Sequence, residues 1–121
     1  MSSIDYQMIF EKAEVGIALN NPANGTIGTV NDRYAELTGY SPEELEDMKI
    51  EEISANVPSF DQASAMEKVQ RGLTGERQQF DWLFKRKDGS RFWGEVVLKR
   101  TQIGPHDRLL AFVRDVSERK Q

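Results

Sequence analysis

NDRYAELTGYSPEEL, residues 31–45, decides the fold, because two short helices are written there back to back. Asp32 can cap the first through its side-chain oxygen, and Tyr34 and Leu37 give that helix an apolar side. Gly39, just past Thr38, can take the left-handed conformation that ends it. Ser41-Pro42-Glu43-Glu44 then opens the second helix: Ser at the N-cap, Pro at the first helical position, and Glu44 reaching back to close a capping box. Asp47 follows Leu45-Glu46 where a glycine stop would be easiest, so this helix is expected to end differently.

Outward from this stretch, the patterning changes period. Upstream, Val15 to Asn20 and Thr26 to Val30 are short apolar strands joined by Asn21-Pro22-Ala23-Asn24-Gly25, a connection short enough for an antiparallel hairpin. Before them, Tyr6, Ile9, Phe10 and Ala13 share one side of a flanking helix over residues 1–14. Downstream, Ser59-x-x-Gln62 is a capping-box candidate, and Met66, Val69 and Leu73 form a helical stripe that stops at Gly75. Gln79 to Lys87 and Ser90 to Arg100 are long strands joined at Asp88-Gly89, and Leu109 to Val116 is a last strand, apolar on both sides at its start and so central. A turn at Gly104-Pro105-His106-Asp107 precedes it. Strands, then helices, then three strands predict an α+β fold.

Alternation along the C-terminal strands predicts which side chains face the helices. Phe80, Trp82 and Phe84 form one such set, and Phe92, Gly94, Val96 and Leu98 the next. Gly94 among bulky neighbours is expected to leave a hole that something else approaches. The opposite face carries Trp93, Val97, Leu110 and Phe112. That is too much apolar surface to leave wet, and it is expected to pack on the N-terminal helix or on a second copy.

Composition bounds the alternatives. The 121 residues make one domain, with 38% hydrophobic and 30% charged residues, as in an ordinary globular protein. The net charge of −4 and scattered basic residues give nucleic-acid binding no electrostatic support. No apolar run approaches the ~18 residues of a membrane span. With no cysteine, thiolate catalysis, disulfides and cysteine metal sites are excluded. No spacing assembles a nucleophile, base and orienter, and the paired acids Glu43-Glu44 and Glu51-Glu52 read as a cap and a solvated face, so no catalytic residue is assigned.

Three blocks carry a resemblance: Asn31 to Leu45, the hairpin Lys87-Asp88-Gly89-Ser90-Arg91-Phe92-Trp93, and Asp115-Val116-Ser117-Glu118-Arg119-Lys120. In this order and spacing they resemble PAS domains, the sensory modules of signalling proteins. The resemblance implies a five-stranded antiparallel sheet with short helices and one longer helix over one face, a core over residues 15–117, and the start of an output helix at 118–121. It also implies a homodimeric module cut from a longer sensor kinase or transducer, and the composition, with no cysteine, signal pattern or membrane span, reads as that of a cytoplasmic domain. Its pocket would be lined by Tyr34, Ile50, Ile53, Met66, Val69, Leu73, Trp82, Phe84, Gly94, Val96 and Val113. A small, largely apolar and heteroaromatic guest is expected there, held without a covalent bond and oriented by the Trp82 indole and the Tyr34 hydroxyl. Asp115 and Arg119 would pair at the junction with the output helix, which Ser117 would cap. Two cofactors are disfavoured by the same alignment. Ile50 and Glu51 stand where flavin-binding light sensors have a cysteine and a phosphate-binding arginine. Haem-binding relatives place a histidine on the long helix, which here has none, the single His106 lying in a turn.

Overall fold

The structure is a computed structural model and describes residues 10–11 and 13–117. Its strands are β1 (Gly16–Asn21), β2 (Thr26–Val30), β3 (Gln78–Lys85), β4 (Arg91–Ile103) and β5 (His106–Asp115). Its helices are α1 (Asp32–Thr38), α2 (Pro42–Glu46) and α3 (Gln62–Leu73), with a 3₁₀ turn at Ile50–Ile53. The five strands form one antiparallel sheet in the order β2-β1-β5-β4-β3, so the last strand is central, as its apolar run predicts. The helices pack over one face of that sheet. The expected flanking helix over 1–14 lies largely outside the described residues, and Arg119 with the rest of 118–121 lies outside them too.

The helical centre forms as its sequence directs, with one correction. Asn31, not Asp32, is the N-cap of α1: its Oδ1 accepts from the Tyr34 N–H at 3.0 Å. The same oxygen accepts from Ile17 N–H at 2.9 Å, while Nδ2 donates to the carbonyls of Phe10 and Val15 at 2.8 and 3.0 Å. Asn31 thus fills four bonds at 1% exposure, tying α1 to the start of β1. Asp32 is already inside the helix. Gly39 ends α1 at φ 79°. Ser41 and Glu44 close the capping box of α2, Ser41 N–H donating to Glu44 Oε1 at 2.9 Å and Glu44 N–H to Ser41 Oγ at 3.1 Å. Asp47 ends α2 at φ −103°, without the left-handed turn.

A second cap also shifts. Pro58 sits in the tight turn from Val57 to Phe60, which Phe60 N–H closes on the Val57 carbonyl at 2.9 Å. That turn throws Ser59 to φ 74°, so Ser59 cannot begin the helix. Asp61 caps α3 instead, its Oδ1 accepting from Ser64 N–H at 3.0 Å. The β4–β5 hairpin is longer than expected: Ile103 pairs with His106, leaving only Gly104 and Pro105 as the turn. Gly104 has φ 59°, the positive angle a two-residue hairpin turn needs at its first central position. His106 is accordingly the exposed first residue of β5 rather than part of a turn.

Candidate functional site

Alternation places Trp82, Phe84, Phe92, Val96 and Leu98 on the inner face, all buried at 5% exposure or less. Between that face, the 3₁₀ turn and α3 lies a small cleft. Eight of the residues expected there come together around it: Tyr34, Ile50, Ile53, Val69, Trp82, Phe84, Val96 and Val113. Ile50 and Phe80, only half-buried, stand at its rim.

Three expected residues do not line it. Met66 and Leu73 are half-buried on α3, whose buried side is Ala65, Val69 and Gly72. The stripe is therefore rotated by about one residue, because small Ala65 and Gly72 let the helix sit close to the sheet: a methyl at Gly72 would come within 3.1 Å of Leu109 Cδ2. Gly94 leaves no hole. A Cβ built there would lie 2.6 and 2.9 Å from the Phe84 ring and 3.1 Å from Val113 Cγ1, so the slot is already filled by Phe84. That ring stacks on Phe92 at 4.9 Å between centroids.

Five lining residues escape the pattern used for the sequence: Asn20, Ala65, Phe80, Leu98 and Ala111. Phe80 and Leu98 belong to the inner alternating sets and could have been included. Ala65 and Ala111 carry no sequence signal, being small residues that matter only because larger ones surround them.

The cleft has room for the centres of water-sized molecules over about 40 Å³, enough for a few waters but well short of a fused ring. Its walls are mostly carbon, with two polar exceptions. Asn20 is 5% exposed and donates from Nδ2 to the Ile27 carbonyl at 2.7 Å, leaving Oδ1 without a bond among the described residues. Tyr34 is 4% exposed, and its hydroxyl meets no hydrogen-bond partner among the described residues. Burial pushes the Tyr34 pKa well above that of a free phenol, so the group stays a neutral donor and acceptor. The Trp82 indole is not available to orient a guest. Its N–H donates to Ser54 Oγ at 3.0 Å, and Ser54 donates onward to the Ile50 carbonyl at 2.7 Å, which pins the 3₁₀ turn to β3.

At the sheet edge, Ala55 N–H donates to the Leu83 carbonyl at 3.0 Å and Ser54 bridges to Phe84, so the chain after the 3₁₀ turn covers part of β3. Phe60 then stands edge-on to both Trp82 and Trp93, at 5.5 and 5.3 Å between centroids. Trp93, Val97, Leu110 and Phe112 lie half-buried on the outer face, joined by Ile17 and Leu19 through the β1–β5 register. Asp115 is placed at the end of β5. It accepts from Ser117 N–H at 2.9 Å and faces Arg86 at 3.8 Å. Arg86 went unmarked in the sequence, yet it binds the Leu37 carbonyl from Nε at 3.1 Å and lies over the Phe92 ring at 4.6 Å. The Ser117 hydroxyl accepts from Trp93 N–H at 3.0 Å. Among the described residues, no group of acids and histidines could hold a metal ion, and no helix is long and apolar enough to cross a membrane.

A family model described as "PAS domain" matches residues 14–118. Among solved structures, the PAS domain of an HTR-like protein from Haloarcula marismortui is similar at 31% identity, covering 94% of this chain and 91% of that one, with a TM-score of 0.83. A domain of the sensory box sensor histidine kinase/response regulator from Geobacter sulfurreducens aligns at 22% identity over 93% of each chain, with a TM-score of 0.78. The PAS domain of a LuxR-family transcriptional regulator from Burkholderia thailandensis, solved in complex with ethanol, aligns at 19% identity over 93% of this chain and 98% of that one, with a TM-score of 0.73. The last two likenesses speak for the fold.

Proposed function

This chain belongs to the PAS domain family, and from that membership we propose that it is the sensory module of a signalling protein. In this reading its cleft takes up a small, largely apolar molecule without covalent attachment, and a linked output domain receives the resulting change of shape. The module works in the cytoplasm as a homodimer, and any catalysis belongs to the output domain.

One observation carries the ligand reading: a mostly apolar cleft is lined by Tyr34, whose hydroxyl bonds no described residue and stays within reach of a water-sized molecule. A guest that bonds this hydroxyl gains a hydrogen bond worth about 0.5–1.5 kcal/mol. The size of the cleft narrows the guest. A molecule of a few heavy atoms fits as the residues stand, whereas a heteroaromatic ring requires the 3₁₀ turn or α3 to move outward. The ethanol complex of the Burkholderia relative supports guests on that smaller scale. Flavin finds no support, with Glu51 exposed beside Ile50 at the rim. The alternative is a guest-free dimerisation module, favoured by how completely Phe84 fills the space beside Gly94.

Titration with short alcohols and ketones, read by methyl resonances of Ala65, Val69 and Val113, tests the sensor reading. Binding should perturb these methyls at low concentration, weaken roughly tenfold in Tyr34→Phe, and vanish in Ala111→Leu, which fills the cleft. Methyls that do not respond, or respond equally in Ala111→Leu, leave the guest-free module standing.

A further inference from the structure

β4 outruns the strand beside it. The β3–β4 ladder ends at Gln78 opposite Leu98, while the β4–β5 ladder continues to Ile103 opposite His106. Lys99 to Ile103 therefore pair through one edge only. On the other edge their backbone groups make no bond to a described residue. Such an edge is a template for a further strand.

A groove runs along this edge. Gly75 and Arg77 form one wall and Lys99 to Gln102 the other, enclosing about 380 Å³ accessible to water-sized molecules. Glu76 and Arg77 belong to no regular element, so the outer wall can adjust. The groove is cationic although the chain carries a net charge of −4. Arg77, Lys99 and Arg100 face it with one carboxylate, Asp107, which Arg100 holds at 3.1 Å; Glu76 is exposed beside it. Arg100 also donates to the Leu73 carbonyl at 3.4 Å, and Arg77 to Gln79 Oε1 at 3.0 Å. Lys99 has no partner among the described residues.

We propose that this groove binds an extended acidic segment of a partner protein, which adds to β4 at Lys99–Ile103 as a short strand in line with β3. The unpaired backbone supplies the ladder bonds, and Arg77 and Lys99 select carboxylates on alternate positions. A second copy of this edge is the wrong occupant, because antiparallel pairing would set Lys99 and Arg100 against the same cations. The proposal does not depend on what the core cleft binds.

The test uses ¹⁵N-labelled protein and three synthetic peptides: one alternating Glu and Val, one alternating Lys and Val, and the Glu peptide N-methylated at alternate residues. The Glu peptide should shift the amides of Lys99–Ile103 and slow hydrogen exchange at Arg100 and Gln102, whose N–H groups face the open edge. Affinity should fall at least tenfold in Arg77→Glu/Lys99→Glu, whose changes lie on the surface. The Lys and N-methylated peptides should not bind. Unmoved amides, or equal binding by the Lys peptide, would overturn the proposal. Undiminished binding of the N-methylated peptide would reduce the contact to charge alone and overturn strand addition. Shifts produced by phosphatidylserine vesicles but not by the Glu peptide would assign the groove to lipid.

Discussion

Gly94 has no room for a methyl group. The Phe84 ring edge lies where the Cβ would stand, 2.6 Å away at its nearest, and Val113 closes the other side. Phe84 cannot retreat, since it is stacked on Phe92 and both rings are buried. Gly94→Ala should therefore destabilise by about 1–3 kcal/mol, as overpacked cores do, measured as a lowered urea midpoint at unchanged m-value. An unchanged midpoint would mean that the inner face has slack. At this scale the sequence is a partial guide. It flagged Gly94 as a place of close approach, and the approaching group is a neighbouring side chain. It could not show that Trp82 spends its N–H on Ser54, because that bond joins residues 28 positions apart. Asn31 went unseen for a similar reason: Asn31 and Asp32 are both good caps, and only the distant Phe10, Val15 and Ile17 backbones make Asn31 the better one.

Elements were read well where their signals are local. The α2 capping box is complete within four residues and formed as written, whereas the hairpin at Asp88-Gly89 kept its place but took a third turn residue. Lys85 pairs with Arg91 and Arg86 N–H donates to the Ser90 carbonyl at 2.7 Å, leaving Lys87, Asp88 and Gly89, the last at φ 89°, as the turn. The start of α3 was misplaced because the Val57–Phe60 turn, a feature of the preceding loop, consumes Ser59. Its true cap makes the helix sensitive to acid. The Ser64 N–H holds the Asp61 carboxyl below its ordinary value of 3.8, with the Ser64 side chain adding to the effect. A carboxyl depressed in the folded state contributes stability above its unfolded pKa and loses it as pH falls through the lower folded value. Asp61→Asn keeps the capping oxygen but removes the proton, so its melting temperature should fall less steeply than that of the wild type below about pH 4. Asp88, lowered by Ser90, and Glu44, lowered by the Ser41 N–H, add acid sensitivity of the same sign. Identical slopes in the two proteins would show that the cap bond does not persist in solution.

Taken whole, the molecule has two apolar faces on one sheet. The helices cover the inner one, and the outer one carries Ile17, Leu19, Trp93, Val97, Leu110 and Phe112. If two copies meet there, Val97→Glu at the centre of the patch should shift a dimer to monomer in light scattering at micromolar concentration, with the fold intact by circular dichroism. A wild type that is monomeric at those concentrations would rule out pairing of two copies through this face. The fold class was legible because the period of the apolar pattern separates strands from helices along the chain, and the central place of the last strand because Leu109 and Leu110 make its start apolar on both sides. The volume of the cleft was not, since it is a small difference between large filled volumes and turns on single rotamers such as that of Phe84. One consequence follows from Phe60. The protein has just two tryptophans, one on each side of the sheet, and this phenylalanine abuts both. Their intrinsic fluorescence is thus a built-in optical gauge, and one emission spectrum registers disturbance on either side without an added dye.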